Sequence, residues 1–281
     1  MDTIPFDSAS NRILRWVYRH PRIVSGVVRR WLRPWIKECD VTYRGLKWRL
    51  HPSDNAKDRS IWFSDHTDEE AEIDWLASHF DGRRVCFFDI GANSGLYVLC
   101  VGQAISPESP IFAVEPNPIM CGRLRTNLAL NDVGNVQVLE RAIAAERGEM
   151  RLRFPNPRNL GTASLHPHVG ISESDIRVDV VPLAELVKEC GVERIDLLKI
   201  DVEGFEDRVL SPYLDTAKDE ALPEVILLEH MHRKLWQINL LKKIVERGYA
   251  VAVESHSNWI LELTDRRPAP AGSSGSVDPT P

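Results

Sequence analysis

The feature that most constrains this chain is a repeated alternation of short, continuously apolar runs with longer segments of helical periodicity. The run VCFFDI (85–90) is followed by a helical segment (95–105), IFAVEP (111–116) by another (118–131), and then comes NVQVLERAI (135–143). Strands that are apolar on both sides, joined by helices, call for a parallel sheet covered on both faces, because a half-solvated antiparallel strand would alternate polar and apolar residues. The pattern resumes with IDLLKID (195–201), a helix (204–211), EVILLEH (224–230) and a helix (234–247). The pair YAVAVES (249–255) and NWILEL (258–263) reads as a closing hairpin. The fold class predicted is therefore α/β, a doubly wound Rossmann-like sheet.

Three stretches lie outside this alternation. Residues 11–38 interleave eight cations (Arg12, Arg15, Arg19, Arg22, Arg29, Arg30, Arg33, Lys37) with Trp16, Trp31, Trp35 and aliphatic residues, as a basic helical arm does. Segment 41–63 alternates as a short hairpin would, and 67–80 reads as a helix capped by Thr67 or Asp68. Residues 148–170 start as an alternating strand and carry a Pro-Asn-Pro turn, the signature of a hairpin inserted over the sheet edge and able to cover a pocket. The tail at 266–281, rich in Pro, Gly and Ser, is expected to be disordered. The chain thus divides into an N-terminal arm and hairpin extension (1–66), one catalytic domain (67–264) and a tail (265–281).

Composition narrows the function. A formal net charge of −6 provides no general attraction to a polyphosphate, so nucleic acid is not the expected partner. Cys39, Cys86, Cys100, Cys121 and Cys190 lack CxxC spacing and sit mostly among apolar residues, as reduced core cysteines do. Without a run of about 20 apolar residues or a signal-peptide pattern, the chain reads as cytoplasmic. The arm at 11–38 either packs on its own domain or rests on the inner, anionic membrane face as a peripheral contact.

The sharpest motif is Asp89-Ile90-Gly91-Ala92-Asn93-Ser94-Gly95, at a strand-to-helix turn where Gly91 and Gly95 permit a tight bend and the close approach of a ligand. A dinucleotide fingerprint would place glycine at its first, third and sixth positions, here Gly91, Asn93 and Leu96, so NAD and FAD lose ground. Glu115 ends the next strand, where a carboxylate can accept hydrogen bonds from both hydroxyls of a ribose.

Taken together, DIGANSG (89–95), VEPNP (114–118), GTASL (161–165) and LKIDVEGFE (198–206) resemble, in this order, the FkbM family of class I methyltransferases, over roughly 60–263. The resemblance implies a seven-stranded sheet, S-adenosyl-L-methionine as the methyl donor, and O-methylation of a hydroxyl on a sugar, a glycolipid or polysaccharide unit, or a natural product. It implies a donor site from Asp89, Gly91, Ala92, Asn93, Gly95, Glu115, Asn117 and Ala142, with Asp89 suited to the cationic methionyl end. One element departs from the family: a common Leu-Asp-Asp-Leu is here Leu183-Ala184-Glu185-Leu186.

On the acceptor side, Lys199 and Asp201 share one side of a strand and must pair or face a crevice. Asp201 can alternatively cap the following helix, and Lys199 can be a structural ion-pair partner. Glu203, Glu206, Glu229 and His230 lie close enough in the pattern to converge with Asp201 on one rim, where Asp201 or His230 would take the hydroxyl proton. The weaker alternative is a divalent cation held by Asp201 and Glu229. Zinc at His166/His168 or His230/His232 lacks a complete ligand set. The competing functions are an oxidoreductase using NAD or a nucleotide sugar on a similar sheet, and a non-catalytic binding module docking through the basic arm.

Overall fold

The structure, a computed structural model, describes residues 13, 15–16, 36–156, 158–167 and 174–264. Most of the basic arm, His168 and the tail at 265–281 lie outside the described residues. Strands β1 (Cys39–Tyr43) and β2 (Leu46–Leu50) form an antiparallel hairpin. Arg44 and Gly45 hold its two-residue turn at φ 53° and 78°, as tight hairpins require. The sequence reading extended this hairpin to residue 63, but 51–63 turns into helix α1 (Ala56–Ser64). The cause is local: Asn55 accepts hydrogen bonds from the backbone N–H groups of Lys57 and Asp58, which caps a helix in place of a strand. Helix α2 (Glu70–His79) follows, with Glu69 at its cap position instead of Thr67 or Asp68.

The main sheet is built from β3 (Phe87–Ile90), β4 (Ile111–Val114), β5 (Val136–Leu139), β9 (Leu197–Ile200), β10 (Val225–Glu229), β11 (Tyr249–Glu254) and β12 (Asn258–Leu263). Among the described residues it has seven strands in the order β11-β12-β10-β9-β3-β4-β5. β3, β4, β5, β9 and β10 run parallel, and the last two strands close the edge as the expected hairpin, with β12 antiparallel to β10. The chain runs outward from β3 to β5 and returns on the other side of β3 as β9. That reversal is the switch point at which open α/β sheets bind ligands.

The connecting helices are α3 (Leu96–Gly102), α4 (Pro118–Leu130), α5 (Leu183–Glu189), α6 (Glu206–Thr216) and α7 (Leu240–Glu246). The expected helix at 234–247 divides into a 3-10 turn (Arg233–Leu235) and α7, because Asn239 caps a new helix by accepting from Lys242 N–H. The strand expected at 135–143 also divides. The chain leaves the main sheet at Glu140–Arg141, and Ala142–Ile143 becomes β6, parallel to β8 (Ile176–Val181), which pairs antiparallel with β7 (Gly148–Leu152). The insertion is therefore a second, three-stranded sheet.

Successive strand residues feed two cores. Phe88, Ile90, Val114, Leu198 and Ile200 face the insertion sheet, α5 and α6. Phe87, Ala113, Leu197, Val225 and Leu227 face the β1–β2 hairpin, α1, α2 and α3. Each fully buried large side chain contributes about 1.5–3 kcal/mol, so the hairpin extension is held by a core it shares with the central sheet.

Candidate active site

The site forms where β3 and β9 end side by side. Their register sets Asp89 beside Lys199 and Ile90 beside Ile200, and Asp201 N–H extends the ladder by donating to Ile90 O at 3.0 Å. Gly91 turns away at φ 79°, and a Cβ added there would lie 1.8 Å from the carbonyl oxygen of Asp201. The protein's own backbone is enough to demand this glycine. Gly95 has a similar reason: its Cβ would meet the Leu124 side chain at 2.5 Å.

A row of alternating charges crosses the sheet end. Lys199 Nζ stands 3.0 Å from Asp89 and 3.8 Å from Asp201, and donates to Gly91 O at 2.6 Å. Lys57 Nζ, from α1, stands 3.2 Å from Asp201 and 2.9 Å from Glu69. Burial pushes the Asp201 carboxyl up, but Lys57 and Lys199 outweigh it and hold it below the usual carboxylate range. Asp89 is 0% exposed, and there burial wins over Lys199 and raises the carboxyl.

A cavity opens in front of this row. Its floor includes Ile90, Gly91, Asn93 and Glu115, and its apolar walls Val114, Met120, Ala142, Ile143 and Leu152. Leu160, Gly161, Ala163 and Leu165 of the insertion also line it, as do Lys57, Arg141, Asp201 and Glu203. Glu115 accepts Asn93 N–H and Asn117 N–H, both at 2.8 Å, and burial pushes its carboxyl up to about 7. The other N–H groups of the glycine turn are also committed: Gly91 and Ala92 donate to Val114 O, Ser94 to Asn93 Oδ1, and Gly95 to Ala92 O.

Glu203 follows Asp201 on a tight turn and adopts φ 55°, a left-handed conformation that costs a non-glycine residue about 1–2 kcal/mol. The turn is braced on two sides. Ser164 Oγ donates to Glu203 O at 2.9 Å, and Glu206 accepts the N–H groups of Val202 and Gly204. Burial, reinforced by Asp201, pushes the Glu203 carboxyl up to about 8. His232 Nδ1 lies 3.5 Å from Glu203 and 3.7 Å from Glu229, and these acids raise its imidazole to about 9.

The methyltransferase FkbM domain matches residues 89–267, more than half of the chain. The chain belongs to the FkbM methyltransferase family. It is 29% identical over 185 residues to "Methyltransferase 1" of Beauveria bassiana, covering 59% of this chain and 72% of that protein. It is 28% identical to the 31-O-demethyl-FK506 methyltransferase FkbM of Streptomyces tacrolimicus, covering 44% of this chain and 57% of that one. With the hexuronic acid methyltransferase AglP of Haloferax volcanii it shares 29% identity, over 44% of this chain and 47% of the archaeal protein.

In this FkbM-family methyltransferase the sequence-predicted residues take several positions around the cavity. Gly91, Asn93, Glu115, Ala142, Asp201 and Glu203 line the cavity. Asp89, Ala92, Gly95 and Lys199 are not in its lining; they form the buried support beneath and behind it. Asn117 caps α4 by accepting Ile119 N–H and donates to Leu160 O at 3.3 Å, joining the donor-side turn to the insertion. Glu229 accepts Met231 N–H at 2.6 Å, and the His230 ring lies against Trp259 at 4.2 Å, so neither faces the cavity. Glu206 turns onto its own loop and Trp236, away from the rim. Asp201 does not cap α6, whose cap position is Phe205. Among the described residues no three His, Cys, Asp or Glu side chains gather as metal ligands. Sequence reasoning missed Lys57, Arg141 and Met120, whereas the lining by Leu160, Gly161, Ala163 and Leu165 belongs to the insertion expected to cover a pocket. Nothing in the local pattern of 51–58 marks Lys57.

Proposed function

We propose that the chain is an S-adenosyl-L-methionine-dependent O-methyltransferase acting on a hydroxyl of a small-molecule or glycan acceptor, such as a sugar, a glycolipid or polysaccharide unit, or a natural product. The carrying observation is that Glu115 and the Asp201–Glu203 turn line one and the same cavity.

The residues present fit the donor. Glu115 uses two of its roughly four acceptor positions on backbone N–H groups, leaving others for ribose hydroxyls. Val114, Met120, Ala142, Ile143 and Leu160 offer apolar walls for an adenine, and the ionised Asp201 suits a cationic methionyl end. A dinucleotide fits less well. Its pyrophosphate needs free backbone N–H donors, and those from Gly91 to Gly95 are already committed. When bound, the donor supplies an electrophilic methyl group for in-line attack by the acceptor oxygen.

Glu203 takes the hydroxyl proton. Of the acids at this end of the cavity it alone combines a wall position with a carboxyl raised to about 8, matched to proton abstraction near neutral pH. Asp201, held low by two lysines, is a poor base and serves as a fixed anion. The names of the relatives point to a hydroxylated natural product and a uronic acid as acceptors to try first.

Calorimetry with S-adenosylmethionine and, separately, with NAD tests the donor half. Micromolar binding of the former alone supports the reading, and binding of NAD alone sinks it. Methyl transfer from radiolabelled donor to a panel of deoxysugars, uronic acids and macrocyclic alcohols tests the acceptor half.

A further inference from the structure

Lys57 is where the N-terminal segment enters the cavity, and it lies outside residues 89–267, so the family match gives it no role. Its ammonium stands 3.2 Å from Asp201 Oδ2, nearer than that of Lys199 at 3.8 Å. Lys199 is further committed to Asp89 and to Gly91 O. Asp201 and its turn are also acted on by His232, Glu203, Glu229, Asp89 and Tyr97.

The backbone that carries Lys57 is anchored independently. Asn55 accepts Lys57 N–H and donates to Asn93 Oδ1 at 2.8 Å. Asp54 takes a two-pronged pair from Arg123 at 2.8 and 2.9 Å, and Asp58 accepts from Ser94 Oγ at 3.0 Å. Leu160 N–H donates to Asp54 O at 2.8 Å, tying the same segment to the insertion. The ammonium is thus delivered to Asp201 by a segment bonded to both the glycine turn and the cavity's cover.

We propose that Lys57 is a positioning residue for the methyl donor: by pairing with Asp201 it holds that carboxylate fixed in the cavity wall, ready for the cationic methionyl end. The inference rests on the donor site proposed above. It makes the N-terminal segment part of the donor site.

A double-mutant cycle read by calorimetric S-adenosylmethionine affinity tests it, with the wild type, Lys57→Met, Lys57→Arg, Asp201→Asn and the Lys57→Met/Asp201→Asn pair. Lys57→Met is expected to weaken binding about tenfold or more in the wild-type background but by no more than about threefold when Asp201 is already Asn, since coupled sites are not additive. Lys57→Arg, which keeps the charge, stays within about threefold of the wild type. Lys57→Gln replaces the Met variant if thermal unfolding shows that the latter does not fold. Equal weakening in both backgrounds makes Lys57 merely structural and overturns the proposal, as does wild-type affinity in the Lys57→Met protein. Failure of the wild type to bind the donor overturns the donor assignment itself, and this inference with it.

Discussion

Two glycine-to-alanine substitutions should move stability in opposite directions. Gly91 sits at φ 79°, and its added Cβ would lie 1.8 Å from Asp201 O and 3.0 Å from Asp201 C, both backbone atoms that cannot rotate away. The left-handed backbone costs an alanine about 1–2 kcal/mol. Forcing β9's end away from β3 adds about 1–3 kcal/mol, the range for overpacking a filled interior. Gly91→Ala should therefore lose roughly 2–5 kcal/mol, and at about 2–4 °C per kcal/mol for a domain of this size the midpoint falls by about 4–20 °C. Because the displaced atom belongs to Asp201, donor affinity should fall as well. Gly122 is the control. It is exposed inside α4, has no atom within 4 Å of its added Cβ, and Gly122→Ala should gain about 0.5–1 kcal/mol from helix propensity. Thermal and urea unfolding of both variants give the comparison. A Gly91→Ala protein as stable as the wild type would refute the claim that the backbone contact demands the glycine.

Replacing Glu115 by Ala removes the expected acceptor of two ribose hydroxyls, and at about 1.5 kcal/mol for each charge-assisted bond the donor affinity should drop at least about 100-fold by calorimetry; retained affinity would count against the donor site. Catalysis should rise with pH through about 8 as Glu203 ionises. Glu203→Gln should abolish that limb and lower kcat by about 10²–10⁴, the usual range for a lost general base; an unchanged profile would remove Glu203 from the mechanism. The same groups set a stability trend. Glu115 and Glu206, raised to about 7, and Glu203, raised to about 8, favour the folded state while protonated, so their contribution is complete below the ordinary glutamate pKa and is lost as pH rises through 7–8. The urea midpoint should accordingly fall between pH 6 and pH 9, and a midpoint that rises over that window would contradict the burial of these carboxyls.

The sequence by itself determined the α/β class, the near positions of the seven main-sheet strands, the glycine turn and the family. These are properties of contiguous residues: apolar runs, turn residues and a motif at the end of a strand are written locally. Pairing and facing are not local, and there the tertiary structure decided. Whether Asp89 meets a ligand or a lysine depends on the register of β3 against β9, which sets it beside Lys199, 110 positions along the chain. The division of 135–143 depends on which sheet offers partners to Ala142 and Ile143, and the insertion provides them through β8. His230 was a reasonable base from its place at a strand end, but packing lays its ring on Trp259 and leaves Glu203 on the cavity wall. Lys57 lies 144 residues from Asp201 and reaches it only because the shared core docks α1 against the sheet. Charge and burial act through space, so the ionisation of a buried carboxylate is set by neighbours that no window of sequence contains.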